Sequence, residues 1–225
     1  MAFTVKDILR LEVAPALGCT EPVAIALGAA AAASLLQGEQ IDSIEIWVDP
    51  NIYKNGVAVS IPGTPGLSGL DTAGALGALA GDPGLKLEVL KPIDDEDVIR
   101  AQAFLQQDRV KVNLMPDRKG IMIRTIIRTK DHTAESVIQD LHDNIVSLTL
   151  NDIEVSESPL LSTGAKDNGK SDVSRLENWL QKLSLSELLN LTGDLDSEDM
   201  EFLEQGVRFN LKLAEYGLKH GCGLG

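Results

Sequence analysis

Val23-Ala24-Ile25-Ala26-Leu27-Gly28-Ala29-Ala30-Ala31-Ala32-Ala33-Ser34-Leu35-Leu36 decides the fold, because a helix that is apolar on every side has to be surrounded. Its fourteen residues fall short of the ~20 needed to cross hydrocarbon, so the segment does not read as a membrane span. Small side chains let neighbouring backbones come close, and the stretch reads as a buried central helix. Thr20 suits the N-cap, Glu21 suits the positive end of the helix dipole and Pro22 is tolerated in a first turn. The helix is therefore predicted to start there and to run to Gly38.

Upstream, the apolar spacing from Val5 to Val13 predicts a short amphipathic helix closed by Ala14-Pro15. Downstream, Ile41, Ile44, Ile46 and Val48 lie among Asp42, Glu45 and Asp49 in strand-like alternation, and Val57, Val59 and Ile61 repeat it. Asn51 to Gly56 is then a connecting loop. The turn-rich stretch Pro62 to Gly69 leads into a second small-residue helix, Thr72 to Leu79. Leu85 to Leu90 reads as a short strand, Asp94 to Gln107 as a helix with an acidic first turn, and Val110 to Leu114, Ile121 to Thr129 and Ser136 to Leu150 as further strands. Short polar turns such as Pro116 to Gly120 favour antiparallel pairing over parallel crossover. The expected fold is α+β: buried Ala/Gly-rich helices on a mixed, largely antiparallel sheet, followed by a C-terminal helical segment.

The composition shifts to Ser, Gly, Asp, Asn and Lys between Ser156 and Ser174, which reads as a flexible linker. Beyond it, Leu176 to Lys182, Leu185 to Leu191 and Glu198 to Lys219 carry helical spacing, the last behind Asp196 or Ser197 as cap. The organisation expected is thus an N-terminal domain over residues 1–155, a linker over 156–174 and a helical segment over 175–225.

Charge narrows the function. Twenty Lys and Arg face 34 Asp and Glu, for a formal net charge of −14, and phosphate neutralisation needs the opposite balance, so nucleic acid is not an expected partner. Charges within the first ten residues interrupt any signal-peptide core, and Cys19 and Cys222 form neither a disulfide framework nor a paired metal-ligand spacing. The expected compartment is the cytoplasm.

Three places could carry chemistry. Pro15-Ala16-Leu17-Gly18-Cys19-Thr20-Glu21-Pro22 sets a thiol just before a helix whose unpaired N–H groups favour thiolate, which can ligate a soft metal or attack an electrophile; the alternative is a small buried cysteine that only packs. Lys54 and Asn55 offer a cation and an amide donor that could hold a carboxylate, or could form an ordinary solvated turn. Pro62 to Gly69 lacks the residues of a phosphate loop or a dinucleotide loop. His132, His142 and His220 are scattered and read as surface or turn residues, and Asp94-Asp95-Glu96-Asp97 reads as a solvated helix start.

Pro15 to Pro22, then Pro50-Asn51-Ile52-Tyr53-Lys54-Asn55-Gly56, then Pro62-Gly63-Thr64, with Ala75-Leu76-Gly77-Ala78-Leu79 and Leu87-Glu88-Val89-Leu90-Lys91, resemble in order the N-terminal half of the L-cysteine desulfidase family. That family is related to the alpha chains of iron-sulfur L-serine dehydratases. The likeness is clearest from Val13 to about Lys91, while Asn210 to Leu218 resembles a stretch in the middle of the family. The resemblance implies a cytoplasmic lyase of amino-acid catabolism that eliminates sulfide from L-cysteine, or water from L-serine, to give pyruvate and ammonia. It implies a [4Fe-4S] cluster on three cysteines, with one iron left open to act as a Lewis acid. Cys19 matches one of those ligands; the other two belong to the family's C-terminal half, and Cys222 matches neither. This chain alone is therefore expected to lack the cluster and the activity. By the same resemblance Cys19 is the metal ligand, with Thr20 and Glu21 beside it. Glu21 is the candidate catalytic carboxylate, and Thr20, Lys54 and Asn55 are candidates for gripping the amino-acid substrate. The implied partners are that substrate and the missing C-terminal half, with further copies of the chain as a homo-oligomer left open. A non-catalytic module that keeps the fold and binds a small carboxylate is the competing reading. Leu185, Leu188, Leu189 and Leu191 form either an assembly surface or the packing face of their own domain.

Overall fold

The alanine-rich segment forms α2 (Thr20–Ser34), and every residue from Pro22 to Ala32 is buried. The computed structural model describes residues 3–64, 66–162 and 172–221. It divides into two units, Ala16–Gly169, and Met1–Pro15 with Lys170–Gly225.

In the first unit a six-stranded sheet runs in the order β2-β1-β3-β4-β5-β6. The strands are β1 (Ile41–Val48), β2 (Val110–Leu114), β3 (Met122–Thr129), β4 (Thr133–Gln139), β5 (Ile145–Leu150) and the short β6 (Ile153–Glu154). Only β1 and β2 pair in parallel; all other neighbours are antiparallel. The fold is α+β, as the alternating patterns of the sequence indicate. On one face Ile44, Ile46, Ile123, Ile127, Ile138 and Leu148 are buried. The other face carries the ion pairs Arg124–Glu135 (2.7 Å) and Arg128–Glu45 (3.0 Å). One buried face and one polar face is the arrangement that period-two alternation specifies.

Two small-residue helices, α2 and α4 (Leu70–Ala80), form the layer on the buried face. Their intimacy follows from side chains that are absent. A Cβ on Gly77 of α4 would lie 2.6 Å from the Ala26 Cα of α2, so only glycine permits this crossing. Two residues on, a Cβ on Gly28 would face the sheet, 3.2 Å from Thr125 Oγ1. The two directions differ because residues two apart on a helix point to nearly opposite sides. Ser136 donates its hydroxyl to the Gly28 carbonyl at 2.7 Å. The Thr125 hydroxyl beside it is fully buried and has no hydrogen-bond partner among the described residues.

The structure departs from the sequence reading between β1 and α4. Asn51 to Gly56 is not a loop but the helix α3 (Pro50–Gly56), and Val57 to Ile61 is not a strand, apart from a single bridge from Ser60 to Ser68. The reason is Asp49, which is buried and caps α3 by accepting from the Asn51 and Ile52 N–H groups, while Pro50 supplies a helical first residue. Its second oxygen accepts from the Met122 N–H, tying the helix start to β3. Leu85 to Leu90 likewise gives no strand. Asp82 and Pro83 start a 3-10 helix (Pro83–Glu88), with Lys86 at a φ of +51°. A following helix, α5 (Asp95–Leu105), packs Val98, Ala101 and Phe104 into the core. Ser136 to Leu150 is two strands rather than one. α2 ends at Ser34, and the chain turns to Gly38 at a φ of +83°.

Of the segment read as a linker, residues 163–171 lie outside those described. At its start Leu160 and Leu161 pack against the core, and the Ser162 N–H donates to the Ile145 carbonyl.

The second unit comprises α1 (Val5–Glu12), α6 (Asp172–Leu180), α7 (Leu185–Leu191), a 3-10 turn (Thr192–Asp194) and α8 (Ser197–His220). Asp196 caps α8 by accepting from the Glu198 and Asp199 N–H groups, and Lys6 of α1 pairs with Asp196 and with Asp199 (3.6 Å). The Phe3 and Trp179 rings meet at 5.6 Å. Among the described residues no helix is long and apolar enough to cross a membrane.

Candidate functional site

The segment before α2 is placed by two anchors. Gly18 adopts a φ of +85°, and a Cβ there would lie 3.2 Å from the Pro62 ring. The Leu17 N–H donates to the Leu87 carbonyl. Cys19, not Thr20, is the residue that precedes α2 as its N-cap, extended at φ −68° and ψ 129°, and its side chain bonds none of the helix N–H groups.

Cys19 instead donates its thiol to Glu21 Oε2 at 2.8 Å. The Asn55 amide, from the last turn of α3, donates to Glu21 Oε1 at 3.1 Å. The next residue is the buried Gly56, where a Cβ would collide with the Leu70 side chain at the start of α4 and would come into ordinary contact, 3.5 Å, with the Glu21 Cβ. Thus Asn55, 34 residues further along the chain, joins the sequence neighbours Cys19 and Glu21 around one carboxylate.

The electrostatics run against the thiolate that the helix N-terminus suggests. Partial burial raises the Cys19 thiol above its ordinary value, and the hydrogen bond and negative charge of Glu21 raise it further. The helix N–H groups pull the other way and lose. Burial also pushes the Glu21 carboxyl up, but the bonds from Cys19, its own backbone and Asn55, with the charge of His142, outweigh it and leave Glu21 below its usual range. The pair at rest is a neutral thiol donating to a carboxylate.

His142 is the residue that sequence reading did not bring to the site. It stands in the turn between β4 and β5, and neither spacing nor motif ties it to Glu21; only the sheet brings it within electrostatic reach. Lys54 is exposed on α3 and makes no ion pair or side-chain hydrogen bond among the described residues. Thr20 is half-buried and its hydroxyl likewise has no partner among them. Thr64 bonds locally, its hydroxyl donating to the Ile61 carbonyl. Cys222 lies outside the described residues. Among those described, no three His, Cys, Asp or Glu side chains are grouped to hold a metal ion.

An α+β layer with a thiol–carboxylate pair at a helix start is the class that fold and site define. The chain is similar over its full length to a UPF0597 protein of Desulfotalea psychrophila, at 56% identity. It is similar at 52% to one of Desulfatibacillum aliphaticivorans, and over 97% of its length at 38% to one of Clostridioides difficile. It covers 51%, 51% and 50% of those proteins, so the chain spans about half the length of the curated relatives it matches. No family model matches the chain, and no solved structure does.

Proposed function

We propose that this chain is one half of an iron-sulfur amino-acid lyase that performs α,β-elimination on L-cysteine or L-serine, and that it contributes Cys19 as one ligand of a [4Fe-4S] cluster completed by the rest of the protein. The observation that carries the reading is the convergence of Cys19, Glu21 and Asn55, drawn from two of the three ordered motifs, onto a single hydrogen-bonded cluster. The half-length match to the relatives supports the second part, since those proteins carry about as much chain again from which further ligands could come. Such a cluster, when bound, would supply an iron with an open coordination position to act as a Lewis acid.

What this chain's own residues do can be stated. Glu21 accepts the thiol proton's hydrogen bond and is placed to take that proton when Cys19 turns to a metal or an electrophile. Asn55 keeps the carboxylate oriented for that transfer. Lys54, exposed one residue away, is free to attract a substrate carboxylate. The same lysine fits a module that binds a small carboxylate without catalysis.

The test is anaerobic iron and sulfide reconstitution of the chain joined to the half of the Desulfotalea psychrophila relative that it does not match. Absorbance, iron-to-protein ratio and pyruvate release from L-cysteine and L-serine are read together. A cluster and pyruvate that both vanish in Cys19→Ala support the lyase. A joined protein that releases pyruvate equally well without Cys19, or that binds amino acids and releases none, overturns it.

A further inference from the structure

We propose that α8 is an internal helix of the assembled protein, clasped on two opposite sides by the polypeptide that makes up the remaining half of the relatives' length. The proposal is independent of the chemistry above. Phe202, Phe209, Leu213 and Tyr216 follow one another at spacings of seven, four and three, and so share one stripe of α8. Met200, Val207, Leu211 and Leu218 recur at seven, four and seven, and share another. At 3.6 residues per turn the two stripes lie roughly 170° apart. Glu201, Arg208, Glu215 and Lys219 fill the flank between them.

Both stripes face solvent. Phe209, Leu213 and Tyr216 on one, and Val207, Leu211 and Leu218 on the other, are each more than half exposed, reaching 87% at Leu218. Scattered exposed leucines are ordinary, but two continuous apolar stripes on one exposed helix mark surfaces made to be covered. A helix with apolar residues on opposite sides belongs inside a helical layer, as α2 does in the other unit of this chain.

The number of stripes and the length of the relatives together choose the occupant. A twofold pairing of identical chains buries one self-complementary patch per chain, which covers one stripe of α8 and leaves the other wet. Covering both takes at least two packing elements from elsewhere. The relatives carry about as much chain again as this one, and the present chain matches them without remainder. That second half is a polypeptide of sufficient size, and in those relatives it belongs to the same protein as the part that this chain matches.

The experiment is co-expression of this chain with the unmatched half of the Desulfotalea psychrophila relative, so that neither must fold alone, followed by sedimentation and hydrogen exchange. A 1:1 complex is expected in which α8 amides exchange at least about 100-fold more slowly than in the chain by itself. Leu213→Glu and Leu211→Glu, on opposite stripes, should each weaken association at least about tenfold while leaving the thermal melt of the uncomplexed chain unchanged. Joining the two halves as one polypeptide gives a second reading on the same amides. The proposal is overturned if α8 stays unprotected in the complex or the joined chain, if only one of the two variants matters, or if the chain alone forms a concentration-dependent homodimer that protects α8 to the same degree.

Discussion

Cys19 and Glu21, two residues apart at the start of α2, are joined by a thiol-to-carboxylate hydrogen bond of 2.8 Å. The bond turns a position that helix electrostatics would make reactive into one where the thiol keeps its proton. Removing the negative charge should reverse that. Glu21→Gln is expected to raise the rate of Cys19 alkylation by iodoacetamide at pH 8 by about three- to tenfold, because the thiolate fraction follows the pKa. Measured in a Cys222→Ser background, an unchanged or slower rate would show that burial alone sets the thiol.

The same pair shapes stability against pH. The folded Glu21 carboxyl lies below its ordinary 4.5, so its contribution is present above pH 4.5 and is lost as pH falls through the depressed folded value. The folded Cys19 thiol lies above its ordinary 9.0, so its contribution is present below pH 9.0 and fades as pH rises through the raised folded value. Urea midpoints from pH 3 to pH 10 should fall at both ends in the wild type, and Glu21→Gln should flatten both limbs.

Glycine matters at Gly77 for a different reason than in α8. Gly77→Ala would force a methyl into the Ala26 backbone, and overpacking against backbone that cannot yield should cost about 3 kcal/mol or more. Gly206→Ala meets nothing within 4 Å on α8 and should gain roughly 0.5–1 kcal/mol from helix propensity. Equal effects in urea unfolding would contradict the close α2–α4 crossing.

The unpartnered hydroxyl of Thr125 offers a stabilising change. Thr125→Val keeps the shape and removes a buried polar atom, and should be neutral or stabilising by about 1 kcal/mol in the same assay. A clear loss would mean that the hydroxyl has a partner such as an internal water.

The legible parts of the sequence were those where one local pattern dominates. All-round apolarity marked α2, and alternation marked β1 and β3, because burial on every side or on one side leaves a direct trace in residue order. Val57 to Ile61 alternates just as well and is not a strand. Asp49 and Pro50 had already committed the preceding turn to helix, and Ser60 finds only Ser68 to pair with. The capping signal was present in Asp49-Pro50; hydrophobic period alone outvoted it. At the site, Cys19 and Glu21 were readable as neighbours in sequence. The direction of the thiol's titration was not, because it depends on where the Glu21 side chain turns. Asn55 lies in a stretch whose composition reads as a loop, and its bond to Glu21 depends on that stretch being the helix α3. His142 depends on how the sheet is laid out, which no short motif encodes.

The parallel pairing of β1 with β2 also sets an order of events during folding. All of the chain between Val48 and Val110, carrying Asn55, Gly77 and α5, has to be looped out before that pairing can close, whereas the β3–β4 hairpin joins near neighbours. Pulse-labelled hydrogen exchange should find β3 and β4 amides protected first and β2 amides last. A nascent or partly unfolded chain therefore holds Cys19 without the amide that orients Glu21. The thiol is then open to oxidation during the interval in which the sheet is still incomplete.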